Sequence, residues 1–373
     1  MFKGIFLKLL SLASKLLFLI MIAPNLQNGV FSTYFISLTY SMLFTKLLFG
    51  GVEEYLPTRV KGVKRISDLY ISESLAFFVF IFIFSLLLSI YLSNYIALAV
   101  VIFSFSFLVN GVIRTISPNG FDLMVNLPWL IFLPSVVIFD PSSGNELLIM
   151  HLITHFFVTI SILYILRVNL LWKKHYSSSI FVFRLVRDSI SKSVSGSIFY
   201  FAFRTPVLIL SNIYGVLSDI MSITYSVAEA FWQISMVVVN RRYAYRLNNK
   251  LKSVPISIPI IFMLLSAFVF YCISYMNIYP FLGRYLDFIN NIDFALLPVF
   301  ILYLFSLLMF VDARYFIWGQ NRSALRINIW LTGIMFLAWA INYFTSNFNL
   351  GILTAAFCIG VLTTTYSVSS NRR

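Results

Sequence analysis

Apolar runs of roughly twenty residues succeed one another along the whole chain, each closed by a short polar or basic stretch. They fall at about 5–23, 29–50, 74–93, 95–116, 121–139, 146–167, 192–212, 216–240, 255–276, 294–313, 323–344 and 348–367. Each is long enough, at about 1.5 Å per residue, to cross a hydrocarbon core about 30 Å thick. The pattern predicts twelve transmembrane helices. Connections on one side are very short, at 24–28, 93–94, 140–145, 213–215 and 345–349, with one longer loop at 277–293. The longest connection on the other side, 171–191, is basic and separates the sixth span from the seventh. It divides the chain into an N-terminal lobe, 1–170, and a C-terminal lobe, 192–373.

A second pattern relates the two halves. Gly29-Val30-Phe31-Ser32 followed by Ser37-Leu38-Thr39-Tyr40-Ser41 is echoed by Gly215-Val216-Leu217-Ser218 followed by Ser222-Ile223-Thr224-Tyr225-Ser226. The two copies lie half a chain length apart, with one residue dropped between blocks. That is where a duplicated two-lobe transporter carries its repeat.

Composition sharpens the class. The chain is 60% hydrophobic and 11% charged, with a mean hydropathy of +0.91, the composition of a polytopic membrane protein and unlike that of a soluble domain. The net charge of +14 could suggest nucleic acid, but the basic residues are placed for a membrane. With the N-terminus inside, 24 of the 27 Lys and Arg fall in cytoplasmic segments. Lys15 and Arg204 are intramembrane and only Arg284 lies outside. This is the positive-inside pattern, with both termini cytoplasmic. The first apolar run has no small-residue cleavage site and leads straight into another span, so no removable signal is expected. Cys272 and Cys358 sit in apolar runs and carry no redox expectation.

The candidate chemistry is intramembrane. Arg204 is central in the seventh span, where a charge costs at least about 2.5–3.5 kcal/mol and normally faces a bundle interior or wet cavity. Helical steps from it meet Tyr200, Ser197, Gly196, Ser193 and Ser211, a polar stripe on an apolar helix. Lys15 is central in the first span, the seventh span's counterpart, with Ser11 and Lys8 on its face. Two cations at matching depths suit an anionic ligand, since Lys and Arg both bind phosphate and Arg does so bidentately. The alternatives are that Lys15 snorkels and that Arg204 pairs with Glu229 one helix away. Glu229, flanked at helical steps by Ser226, Tyr225, Ser222, Ser218 and Gln233, is either a proton carrier or half of that ion pair. Asp219, one turn inside the outer face, is an interfacial acid and a second candidate for ion coupling. Pro206 loosens the seventh span beside Arg204. His151 and His155 share a face of the sixth span without an acidic residue at helical spacing, and read as polar packing near the outer surface. There is no phosphate-cradling glycine loop, metal-ligand spacing or nucleophile motif, so no catalytic residue, metal or cofactor is expected.

With these residues in place, the chain resembles the O-antigen or polysaccharide repeat-unit flippases of the polysaccharide transporter family, in the multidrug/oligosaccharidyl-lipid/polysaccharide exporter superfamily. The likeness rests on Lys8–Ala23, on Asn28–Glu54 (NGVFSTYFISLTYSMLFTKLLFGGVEE) and on Arg204–Ile234 with LILSNIYGV…TYSVAEAFWQI. It implies two six-helix lobes around a cationic cavity, in the bacterial inner membrane. The cargo it implies is a polyprenyl-diphosphate-linked oligosaccharide, moved by alternating access. Lys15 and Arg204 would line the cavity with Ser197, Tyr200, Ser222, Tyr225, Ser226 and Gln233. Other polysaccharide-assembly proteins are implied as partners, and nucleic acid is not. A drug exporter of the same superfamily is one alternative. A membrane enzyme of the same pathway is another, but 277–293 offers a polymerase only Arg284, Asp287 and Asp293, and an acyltransferase would need an acidic partner for His151 or His155.

Overall fold

The computed structural model describes residues 2–59, 93–116 and 118–166, with separate positions between 83 and 90, 190 and 226, and 330 and 337. All regular structure among them is helical. The chain folds as two compact units: Met1–Lys15 with Gln27–Tyr200, and Leu16–Leu26 with Phe201–Arg373.

The first predicted span begins as α1, Phe2–Leu17, and then changes its winding. Phe18–Ile22 forms a π-helical turn closed by the Ala23 N–H on the Phe18 carbonyl, and Ala23–Asn25 is a 3-10 turn. Pro24 supplies the reason: without an N–H it cannot continue the α-helical ladder. The Asn25 Nδ2 donates to the Met21 carbonyl at 2.6 Å instead. Around α1 the usual soluble pattern is reversed. Phe6, Leu9, Leu10 and Leu17 are exposed, while Ser11, Ser14 and Lys15 are buried, as suits a helix with an apolar solvent outside and a polar face within.

Helix α2, Val30–Arg59, is entered through Gly29, whose φ of +85° is left-handed and open to glycine at little cost. The Gly29 carbonyl accepts from the Thr33 N–H at 3.1 Å and from its hydroxyl at 2.7 Å. The predicted span stopped at the Gly50-Gly51 pair, but the helix runs through both. Tyr34, Ser37, Ser41 and Thr45 form one buried stripe along α2. The Ser41 and Thr45 hydroxyls donate to carbonyls one turn back, Ser37 and Ser41, each at 2.7 Å. That satisfies each hydroxyl where no water competes.

Three further helices of the first unit are described along their length: α3, Asn94–Ile116; α4, Pro118–Phe139; and α5, Gly144–Ile165. Each contains a stretch of 18 to 22 residues long and apolar enough to span a membrane. Pro118 opens α4, where its missing N–H costs nothing. Pro128 and Pro134 lie inside it, and the Ser135 hydroxyl donates to the Ile131 carbonyl at 2.8 Å beside the second. Ser143 caps α5, accepting from the Glu146 N–H at 3.3 Å, while the Glu146 carboxylate accepts from the Ser142 N–H at 2.7 Å. These contacts serve donors that a helix start otherwise leaves orphaned.

Helix α5 packs against α2, α3 and α4, and α2 lies along α3. At its start Gly144 meets the α2 backbone. A Cβ there would stand 2.6 Å from the Tyr34 N and the Val30 O. At its far end Val158, Ile162 and Leu163 pack with Val109, Ile113 and Met124 in an apolar core. Beside that core the Ser106 and Thr159 hydroxyls bond at 3.2 Å. The outward stripe Ile153, Phe156, Phe157, Ile160 and Tyr164 is exposed, at the spacing of a helix presenting one face to lipid.

Candidate functional site

The first unit holds a layer of aromatic and basic side chains supplied by α1, α2, α3, α4 and α5. Lys15, from the end of α1, is 7% exposed. Its Nζ lies over the Trp129 ring of α4, 5.4 Å from the centroid, within range of cation–π attraction. Trp129 in turn meets the imidazole of His151, on α5, edge to face at 4.9 Å. Phe132, one helical turn from Trp129, lies 4.9 Å from the same imidazole.

His151 is only 2% exposed. Its Nδ1 is hydrogen-bonded to the Tyr34 hydroxyl from α2. His155, one turn along α5, stacks on it at 4.7 Å with the rings 25° apart. Phe103, from α3, closes the layer with its edge toward both histidines, at 6.1 and 5.4 Å. Among the described residues the His151 Nε2 has no hydrogen-bond partner. Such a buried group normally has one, because leaving it unmade costs about 1–3 kcal/mol. The pair read from sequence as polar packing lies in an aromatic-walled cluster, with His151 buried and His155 half-buried.

Arg204, assigned to the second unit, is 4% exposed. Ser193, Ser197 and Tyr200, at helical steps before it, are all buried. The Ser197 hydroxyl donates to the Ser193 carbonyl at 2.8 Å. Tyr200 lies beneath Lys46, whose Nζ is 4.9 Å from the ring centroid. Ser222 and Ser226 are buried, as are Ser37 and Ser41 at the equivalent positions of the internal repeat. Asp219 is half-buried. Tyr225, Glu229 and Gln233 lie outside the described residues.

Sequence reasoning singled out Lys15 and Arg204 because a charge inside an apolar run stands out. It missed Tyr34, Trp129, Phe132 and Phe103. In a chain with 40 Phe and 21 Tyr, no spacing rule marks which aromatic rings from separate helices will meet one histidine.

No family model matches the chain, and neither does the sequence of any curated protein. Solved structures do match in fold over nearly the whole length. The inward-facing form of a multidrug resistance MATE family transporter of the MOP superfamily is similar at 15% identity and a TM-score of 0.55, covering 98% of this chain and 94% of that one. The MATE multidrug transporter DinF-BH, in a ligand complex, matches at 16% identity and a TM-score of 0.56, covering 98% and 92%. A MOP superfamily transporter from Pyrococcus furiosus, described as having a binding pocket of reversed polarity that suggests a different function, matches at 15% and 0.51, covering 99% and 92%. The chain therefore has the all-helical, twelve-span, two-lobe fold of these membrane transporters.

Proposed function

We propose that this chain is a flippase that carries a lipid-linked oligosaccharide across the cytoplasmic membrane by its anionic diphosphate headgroup. The observation that supports this most directly is the sign of the buried charge. Among the described residues, the two buried charged side chains are both cations, Lys15 in the first unit and Arg204 in the second. A diphosphate is costly to move through hydrocarbon, and buried cations lower that barrier by replacing lost hydration. Alternating access between two lobes needs no bond made or broken.

A second reading, a drug exporter, is favoured by the neighbours described as multidrug transporters. The Pyrococcus furiosus neighbour argues that one fold serves pockets of opposite polarity. The fold therefore leaves the cargo open, and local charge is the better guide.

The deciding experiment compares surface polysaccharide with drug susceptibility in the same strains. Arg204→Ala should leave the protein inserted but cripple polysaccharide display, with lipid-linked repeat units accumulating on the cytoplasmic face. Arg204→Lys should recover part of the display, since charge remains while the bidentate fork is lost. Lys15→Ala should act in the same direction more mildly, Lys15→Arg should be tolerated, and Lys173→Ala should change nothing. Normal display in both alanine variants at normal expression refutes the flippase reading. Altered drug susceptibility in those variants would favour the exporter.

A further inference from the structure

The Lys15 ammonium has a second basic group near it, in the same unit, that sequence reasoning did not count as part of a binding site. The His151 imidazole is held by one nitrogen and idle at the other: Nδ1 meets the Tyr34 hydroxyl, and Nε2 is buried without a hydrogen-bond partner among the described residues. Trp129 connects the two, with the ammonium over its face and the imidazole against it.

We propose that His151 is an anion-binding residue beside Lys15, its Nε2–H donating to a phosphate oxygen while Tyr34 positions the ring. This deepens the flippase reading and rests on it. The chemistry follows from the tautomer. A neutral imidazole has one donor nitrogen and one acceptor nitrogen, and the bond at one decides the role of the other. When the Tyr34 hydroxyl donates to Nδ1, the proton resides on Nε2, which becomes a donor in a place that holds few acceptors. Hydrogen bonds to an ionised acceptor are about twice as strong as neutral ones, so an anion is the ligand that rewards such a donor most. The walls suit the same purpose. Phe103, Phe132 and Trp129 present no carboxylate that would repel an anion, and among the described residues the other polar side chains against the ring are Tyr34 and His155. Tyr34 is in this account a positioning residue, and His151 and Lys15 the ligands.

The test uses the full-length protein in detergent micelles with 15N-labelled histidine. The chain has three histidines, so His151, His155 and the connector residue His175 can be assigned by single substitution. The probes are inorganic diphosphate and farnesyl diphosphate. Either should move the His151 Nε2 resonance while leaving His175 unmoved, and Lys15→Ala should weaken that response at least fivefold. Tyr34→Phe should shift the tautomer balance before any ligand is added and weaken the response, a readout that a merely structural role would not produce. His151→Gln, which keeps an amide donor, should bind diphosphate more tightly than His151→Phe in calorimetry. Farnesyl diphosphate acting at a tenfold lower concentration identifies a lipid headgroup as the occupant, and equal potency identifies free diphosphate. If diphosphate binds in a Lys15-dependent manner while the His151 resonances stay still, the role of His151 is refuted and the cationic reading survives. If neither probe binds at all, both fall. The ligand-induced shifts are read in the native protein, and substituting His155 and His175 alone assigns the third resonance to His151, so a His151 or Tyr34 variant that fails to fold does not leave the question open.

Discussion

Two glycines show how differently the same residue type can be required. Gly29 has open space where a Cβ would go, but its φ is left-handed; Gly144 has ordinary torsions but no room, its Cβ position being 2.6 Å from two backbone atoms of α2. Gly29→Ala should therefore cost about 1–2 kcal/mol as conformational strain. Gly144→Ala must push two helices apart and should cost about 1–3 kcal/mol or more. Thermal unfolding of purified protein should rank them, with the larger loss at Gly144, and equal losses would contradict the close contact. Tyr34→Phe should also destabilise, by about 1–3 kcal/mol, because the buried His151 Nδ1 loses its partner. A second change of His151 to Leu should restore part of that loss. At this scale the sequence was readable where one residue contradicts its surroundings, as Lys15 and Arg204 do. It was silent at Gly144 and read His151 only as polar packing, because the surroundings of both come from Val30, Tyr34 and Trp129 on other helices.

At the scale of the element, apolar length located the helices well among the described residues, and winding and termini were the parts it did not disclose; the expected spans at 74–93 and from 192 onward lie largely outside the described residues. The expected 95–116 and 121–139 became Asn94–Ile116 and Pro118–Phe139. The first span was expected as one uniform helix, yet it passes through π and 3-10 turns before Asn25. Hydropathy cannot report such a change, since Phe18–Ile22 is as apolar as any α-helical run; only Pro24 hints at it. The start of α5 is better specified, because Ser142, Ser143 and Glu146 converge on it. Ser143→Ala removes an acceptor for the Glu146 N–H and should cost about 1 kcal/mol. The expected signature is faster hydrogen exchange confined to the first turn of α5, by roughly fivefold. Unchanged exchange over 144–147 would show that Glu146 alone holds the turn.

For the whole molecule, the fold class follows from a property spread over every span, which is why it survived where local details did not. The exposed faces of α1 and α5 are apolar and their buried faces carry Ser11, Ser14, Lys15, His151 and Thr154. No soluble protein distributes residues in that way. Orientation is a separate matter that rests on charge. Reporter fusions after Asn145 and after Tyr279 should read as periplasmic, and fusions after Lys174 and after Lys250 as cytoplasmic. A reversed reading at any of the four would overturn the twelve-span topology.

The membrane-length stretches of α4 and α5 run 20 and 22 residues, or about 30 and 33 Å at 1.5 Å per residue. Those lengths amount to a ruler for the lipid. In vesicles whose hydrocarbon matches them, the two helices can stand without tilting or snorkelling. In thinner or thicker bilayers each ångström of misfit costs a fraction of a kcal/mol. Pro128 and Pro134 make α4 the more able of the two to bend in response, whereas α5, held at its start by Gly144 and at its far end by the apolar core, has little freedom to follow. Lipid thickness should thus act on this protein as a graded variable, with stability highest near about 30 Å of hydrocarbon and falling on both sides.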